Sequence, residues 1–536
     1  MKEEQLLLSA IAYARSGAVE RAWRVLRESG LDHAADNPAA LSVIGRLLKS
    51  RAHDATGSAK QEVYRQSADA YRRAAILSGA TYPLINAATL SLLAGDLAQA
   101  QNLAQDVLAA CAGGRNLDET PYYRQATLAE AQLLLGLVED AKASLHEAFA
   151  LAPLAFEDHA STLRQFALIL GYLKADETWL EPLRPPRVLH FAGHMDLAID
   201  DQVTRSQIEE VLRQEGVGFG YGALAAGSDI VIAEVLLELG AELHLVLPSP
   251  PDVFVATSVA PAGPAWLPRF HRLIAKAAEV TVPAAATPFA GAYSLQLACE
   301  LAMGRAVMQA DTLCTQALQL VVLDESASPI TGPGSSGWTA RIWRGNGRRQ
   351  YELTAPRTAK ARTTADLVED EQLDLAAVLL IECRERDTLY FSERILPVIG
   401  EVAKRYPIFT VCATANDVII ALDDPLAASE MVFEFRRAMQ GASDVSVGAH
   451  YGVFKEANDP FSGKILLAGQ NAWLAEEVLL STPPGAFYAT EDFAAAVSAR
   501  TAKHNIAAEF VGELPGRFDG EATRLFAMRH TGPVSA

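Results

Sequence analysis

Phe461 to Glu491 reads FSGKILLAGQNAWLAEEVLLSTPPGAFYATE, and its parsing decides the last third of the chain. A helix carries Trp473 and Glu477, with Gly469 and Ala475 small enough for close packing. Pro483-Pro484-Gly485 stops it, and a closing strand and helix follow in TPPGAFYATEDFAA (Thr482 to Ala495). Working outward, VSVGAHYGVF is a strand, LAASEMVFEFRRAM a helix, and FTVCATANDVIIAL (Phe409 to Leu422) two strand arms around Ala415-Asn416. SERILPVIGEVAKRY is an amphipathic helix, and LAAVLLIE (Leu375 to Glu382) a continuous apolar strand. The order is βαββαβ, a ferredoxin-like α+β outline over residues 373–530.

These landmarks resemble the class III nucleotidyl (adenylate/guanylate) cyclase homology domain. GAHYG (Gly448 to Gly452) matches its G-x-H-x-G strand; Gly469 and the Pro-Pro-Gly turn match its closing elements. The resemblance implies two aspartates holding two metal ions, which activate a ribose hydroxyl and neutralise a triphosphate. Glu382 stands near the first, followed by CRERD where the family contacts phosphate. Ala415-Asn416 stands for the Gly-Asp of the second. Asp417 lies one residue later, and strand alternation predicts that it faces the other way. The resemblance puts the purine-selecting Lys near Cys412, and an Asn and a transition-state Arg at Trp473 and Glu477. Replacing Arg by Glu inverts the charge beside a triphosphate. Losing one such group typically costs on the order of 3 kcal/mol of transition-state stabilisation. The expectation is a pseudocyclase that works as a homo- or heterodimer; Glu382 is a weak candidate cation ligand. Trp473 is either an anchor for a partner or a partly buried core residue. His450 is read as a structural histidine.

Upstream, residues 187–353 alternate short apolar runs with helices. RVLHFAG ends at Gly193. A glycine-rich turn precedes a helix from Asp229 to Leu239, and ELHLVLP, AEVTVP and LQLVVLDE are strands. That alternation predicts a parallel sheet covered on both faces, with a ligand at the carboxyl ends of its strands. The expected ligand-binding residues are Gly193, His194, Gly222, Gly227, Ser228 and Asp229, with Asp229 a helix N-cap. FAGHM, GALAAGSDIVIAE, LVLPSP and ACELAMGRAV resemble the SLOG superfamily of Rossmann-like domains. The resemblance implies a nucleotide-derived ligand and, in some relatives, N-glycosidic hydrolysis, for which Glu234 is the candidate acid. The PGGxGTxxE loop of those relatives is not evident. Asn346-Gly347 in WTARIWRGNGRRQYEL predicts a hairpin, and residues 354–372 read as a linker.

Residues 1–182 predict helical repeats. Three segments share an apolar helical pattern broken by Gly17, Gly95 or Gly136, each followed about five residues on by Ala22, Ala100 or Ala141. Pro153 stops the third. The pattern resembles tetratricopeptide repeats (TRAFs-binding-like), which implies a docking surface for a protein partner.

The 536 residues carry a net charge of −19 and are 50% hydrophobic. Large cores are affordable, and an acidic surface disfavours nucleic acid and anionic membrane. The five cysteines are scattered without Cys-x-x-Cys, as thiols in a reducing compartment. Without a signal peptide or an 18-residue apolar run, a cytoplasmic location is expected. The composite expectation is a bacterial-type multidomain signalling or scaffold protein. The alternatives are a nucleotide or N-glycosidic hydrolase acting through the middle region, and a weak adenylate/guanylate cyclase.

Overall fold

The computed structural model describes residues 2–15, 19–52, 55–114, 119–283, 291–324, 332–358, 373–384, 388–439, 444–460, 463, 465–501, 505–515 and 522–531. Gly17, most of the expected linker (359–372), part of CRERD (385–387), and positions 461, 462 and 464 lie outside the described residues. The chain forms two compact units: residues 1–185 with 312–314, and residues 186–311 with 315–536.

The first unit is helical among its described residues: α1 (Lys2–Arg15), α2 (Val19–Ser29), α3 (Pro38–Arg51), α4 (Gly57–Ser78), α5 (Thr81–Leu93), α6 (Leu97–Ala112), α7 (Pro121–Leu134), α8 (Val138–Leu151) and α9 (Phe156–Leu173). Consecutive helices from α1 to α8 pack against one another, and α9 packs on α5 and α7. Gly95 turns α5 into α6, and Gly136 turns α7 into α8, with φ of 91° and 78°. Ala22, Ala100 and Ala141 are fully buried, as the close approach of paired helices requires. A polar line joins α3, α5, α7 and α9: Lys49 donates to Gln165, while Thr89 and Gln165 both donate to Glu130.

The second unit holds two sheets. The first contains β1 (Arg187–Gly193), β2 (Val217–Gly222), β3 (Glu242–Val246), β4 (Glu279–Thr281), β5 (Ala317–Asp324) and β6 (Arg349–Ala355). All neighbours are parallel, in the order β4-β3-β2-β1-β5-β6. The crossovers are α10 (Gln202–Glu215), α11 (Ser228–Glu238), the short α12 (Pro251–Phe254) with α13 (Leu267–Lys276), α14 (Ala292–Thr312) and α15 (Ser336–Gly345). Leu189, Phe191, Leu243 and Leu320 form the core under α10, α11 and α13. On the other face a polar row crosses the whole sheet in register: Glu279, His244, Tyr221, His190, Gln319 and Gln350.

The expected hairpin at Asn346-Gly347 is instead the turn between α15 and β6. Ser335 caps α15 by accepting from the Trp338 amide, and Thr339, Ala340 and Trp343 fall on one buried helical stripe. That burial outweighs the local turn signal.

The second sheet is mixed: β7 (Leu373–Glu382), β8 (Ile408–Ala413), β9 (Asp417–Leu422), β10 (Ser446–Asn458), β11 (Ile465–Ala468), β12 (Phe487–Thr490), β13 (Ile506–Leu514) and β14 (Thr523–His530). The order is β13-β14-β12-β10-β7-β9-β8, with β11 on β10. The helices are α16 (Thr388–Tyr390) running through a π turn into α17 (Leu396–Ala403), then α18 (Pro425–Ala438), α19 (Gln470–Ser481) and α20 (Glu491–Arg500). The inner order β10-β7-β9-β8 is the expected ferredoxin-like arrangement. One apolar core joins α17, α18 and α20 to the sheet and takes in Leu297, Leu301 and Val246 from the parallel-sheet half.

Candidate functional site

Glu382 ends β7 and pairs in register with Asp417, the first residue of β9. Cross-strand partners share a face, so the expectation that Asp417 is aimed away from Glu382 is corrected. β9 starts at Asp417 itself, and Asn416 lies in the turn before it. The two carboxylates nevertheless differ in surroundings. Arg384 Nε donates to Glu382 Oε2 at 2.6 Å, and its terminal nitrogens donate to the Leu479 and Leu480 carbonyls at 2.9 and 3.2 Å. One guanidinium thus neutralises the carboxylate and caps the C-terminus of α19, where the helix dipole favours a cation. Asp417 accepts from the Thr414 hydroxyl at 2.8 Å. Among the described residues, no group of three or more His, Cys, Asp or Glu is arranged to hold a metal ion.

Cys412 lies opposite Ile419, which lies opposite Leu380, so the row beside the carboxylate pair is apolar. Cys412 is exposed. Across the same face runs α19, with Ala475 fully buried and Trp473 52% exposed. Trp473 is therefore an outward-facing aromatic, and Glu477 lies one turn further along α19. His450 is buried in β10, its Nδ1 2.9 Å from the Thr490 hydroxyl. Burial pushes its pKa down to about 4, a structural imidazole that stays neutral.

At the carboxyl edge of the parallel sheet, the chain reverses direction across β1, between β2 and β5, the position where such sheets take ligands. Close packing accounts for the glycines there. A Cβ on Gly193 would overlap Ser228, one on Gly222 would meet the Phe191 ring at 2.6 Å, and one on Gly227 the Met195 carbonyl at 2.5 Å. The Ser228 amide and hydroxyl both donate to the His194 carbonyl, at 3.2 and 3.0 Å. The N-terminus of α11 is thus closed by main chain. Asp229 is not its N-cap, a place Gly227 takes. Asp229 is buried in the first turn and accepts from the Ala225 amide at 3.2 Å. Burial pushes its carboxyl up to about 7. Its Oδ1 and His194 Nδ1 are buried without a hydrogen-bond partner.

Two features of this edge escaped the sequence reading. Arg357, just beyond β6, bridges Asp196 and Asp324 at 2.8 Å each. Residues 354–358 are therefore part of this edge rather than free linker, as the Thr358 amide bond to the Asp196 carbonyl also shows. The second is the run Gly332-Pro333-Gly334-Ser335-Ser336-Gly337, which leads into α15. Its glycine and serine content between a strand and a helix was the available signal. Cys299 of α14 touches the Gly334 carbonyl through Sγ at 3.4 Å.

Glu234 lies elsewhere. It is five residues beyond Asp229 on α11, about 500° around the helix. Its carboxylate is held by Arg269 and Arg272, with Arg205 at 3.5 Å. Three guanidinium groups thus share this carboxylate through charge-assisted contacts.

Three comparisons bear on these regions. Residues 3–91 match the family described as Tetratricopeptide Repeats-Sensor. No curated protein matches the chain. Among solved structures, the adenylyl cyclase CyaB from P. aeruginosa is similar at 14% identity and a TM-score of 0.25, over 29% of this chain and 94% of that one. An adenylate cyclase from Trypanosoma brucei is similar at 14% identity and a TM-score of 0.25, over 30% and 89%. The guanylate cyclase domain of RhGC from Catenaria anguillulae is similar at 9% identity and a TM-score of 0.25, over 29% and 96%. No helix among the described residues is long and apolar enough to cross a membrane.

Proposed function

We propose that this chain is a signalling or scaffold protein whose mixed sheet keeps the frame of a nucleotidyl cyclase while its own side chains have replaced the reacting groups. The observation that carries this reading is Arg384. Its guanidinium sits on Glu382 and on the end of α19, where a cyclase would need free carboxylates for cations. Trp473 and Glu477 stand on the facing helix in place of an amide and a cation. The helical repeats dock a protein partner, and the α19 face, with Trp473 exposed, supports association with a second copy or a related chain. The purified full chain is expected to form no cyclic AMP or cyclic GMP from ATP or GTP with Mg²⁺ or Mn²⁺. Sustained turnover sinks the proposal.

A second reading gives the parallel sheet, as a SLOG-like Rossmann domain, a nucleotide-type ligand. It is supported by the buried, unpartnered His194 Nδ1 and Asp229 Oδ1 at the carboxyl edge, and by the glycine-serine run before α15. Calorimetric titration with adenosine monophosphate and NAD tests it, with Asp229→Asn as the variant that weakens binding. If hydrolysis of either compound were found, Glu234→Gln would tell a catalytic from an anchoring carboxylate. Equal rates assign it to the anchor.

A further inference from the structure

Helix α20 belongs by sequence to the mixed sheet, yet the parallel-sheet half holds it at both ends and in the middle. At its first turn, Glu491 accepts from Arg305 of α14 at 2.5 Å and from Arg524 of β14 at 2.9 Å. At its middle, α14 and α20 meet backbone to backbone: a Cβ on Gly304 would overlap the Ala495 carbonyl. At its last turn, Arg348 donates to the Ser498, Ala499 and Thr501 carbonyls at 2.7 to 3.0 Å, and Asn346 Nδ2 donates to the Ala499 carbonyl at 2.7 Å. These carbonyls lack partners within their own helix, so a cation and an amide from the α15–β6 turn act as its cap. Arg500 then reaches back to fully buried Glu300 of α14 at 2.5 Å, to Asp424 at the N-cap of α18 at 2.7 Å, and to the Tyr451 hydroxyl of β10 at 3.2 Å.

The two helices that hold α20 also flank the carboxyl edge of the parallel sheet. α14 carries Cys299, which touches Gly334, one residue before Glu300, which takes Arg500. α15 starts at the Gly332–Gly337 run and ends at the turn whose Asn346 and Arg348 cap α20. Interior ion pairs of this kind tolerate little displacement, because an ion left without its partner in a buried site is strongly disfavoured. Two backbones in contact likewise allow little slack.

We infer that α14 and α15 form a clamp on α20 that makes the two sheets one cooperative unit, so that a change at the carboxyl edge of the parallel sheet is transmitted to α20, α18 and β10 of the mixed sheet. The transmission from a bound ligand rests on the second reading above; the mechanical coupling does not.

Hydrogen exchange read by mass spectrometry on the full chain tests the coupling without a ligand. Arg348→Ala, with Arg348→Lys as the milder variant, removes the cap and touches neither the carboxyl edge nor the mixed-sheet core. The expected result is exchange faster by about tenfold or more in α20 (491–500) and also in 336–345 and 446–458. Arg305→Gln is expected to act on the same peptides, on the order of a hundredfold. Acceleration confined to α20 and the substituted turn overturns the inference. In a second arm, adenosine monophosphate is titrated into the wild type. Slowed exchange in both 332–345 and 491–500 supports transmission. Binding that protects 332–345 alone refutes it while leaving the ligand reading intact. Absence of binding removes the ligand reading, and the substitutions alone then decide the coupling.

Discussion

Arg384 places one guanidinium on both Glu382 and the C-terminus of α19. Glu382 and Asp417 are opposed across β7 and β9, an arrangement two carboxylates share when a cation lies between them. Glu382 instead takes the guanidinium of Arg384, two residues along the same strand end, while Asp417 takes the Thr414 hydroxyl. Arg384→Ala is expected to raise the affinity of the full chain for Mn²⁺, read from the loss of the free-ion signal in electron paramagnetic resonance. Unchanged Mn²⁺ binding would mean that Arg384 does not stand in for the metal. The histidines set a pH dependence. Burial holds His450 at about 4 and His190 at about 3, against 6.5 for the free imidazole. Between those values the unfolded chain binds the extra protons, so stability is present above pH 6.5 and is lost as pH falls toward 4. Asp229, raised to about 7 from 3.8, has the opposite sign and loses its contribution as pH rises through 7. His450→Gln is expected to flatten the acid-side slope of urea stability between pH 6.5 and 4, removing a fall of roughly 3 kcal/mol. An unaltered slope would place the titration on other groups.

At the level of elements, the readable parts were those whose burial repeats at the period of the backbone. The continuous apolar runs of β5 and β7 and the glycine-turned helices α5 to α8 declared themselves in this way. β13 and β14 did not: β13 has a mixed, half-exposed pattern with no strict alternation. Asn346-Gly347 misled for a different reason. A turn dipeptide fixes the turn and leaves open whether a helix or a strand enters it. Trp343, buried under His190 with their rings 5.7 Å apart, decides that the entering arm is a helix. Gly304 is the element-scale counterpart of Arg384, a residue whose meaning is invisible until its neighbour is known. In sequence it is a helix-interior glycine, worth about 1 kcal/mol if replaced by alanine. Against Ala495 that gain reverses. Gly304→Ala is expected to destabilise the second unit by about 1–3 kcal/mol in urea denaturation. A neutral or stabilising result would show that α14 and α20 have room to part.

For the whole molecule, two compact units predict at least two transitions in scanning calorimetry of the full chain, one for the helices of residues 1–185 and one for the second unit. The two sheets of the second unit, joined by one apolar core and the ion pairs around α20, are expected to melt together. Separate melting of residues 187–355 and 373–531 would contradict the shared core. The sequence by itself determined the classes of structure: helical repeats, a run of parallel strands and a ferredoxin-like frame. These follow from periodicities of 3.6 and 2 and from glycines in turns, all local properties of the chain. It also gives the residue types at 473 and 477, an indole and a carboxylate, wherever they lie. Only the tertiary structure decided that Asp417 shares a face with Glu382, that Arg384 fills the space between Glu382 and α19, that Glu234 is bound by arginines, and that α20 answers to both sheets. Those are relations between residues distant in sequence or set by register. Their energies depend on burial and on the partner within hydrogen-bond reach, neither of which is written in the order of the residues.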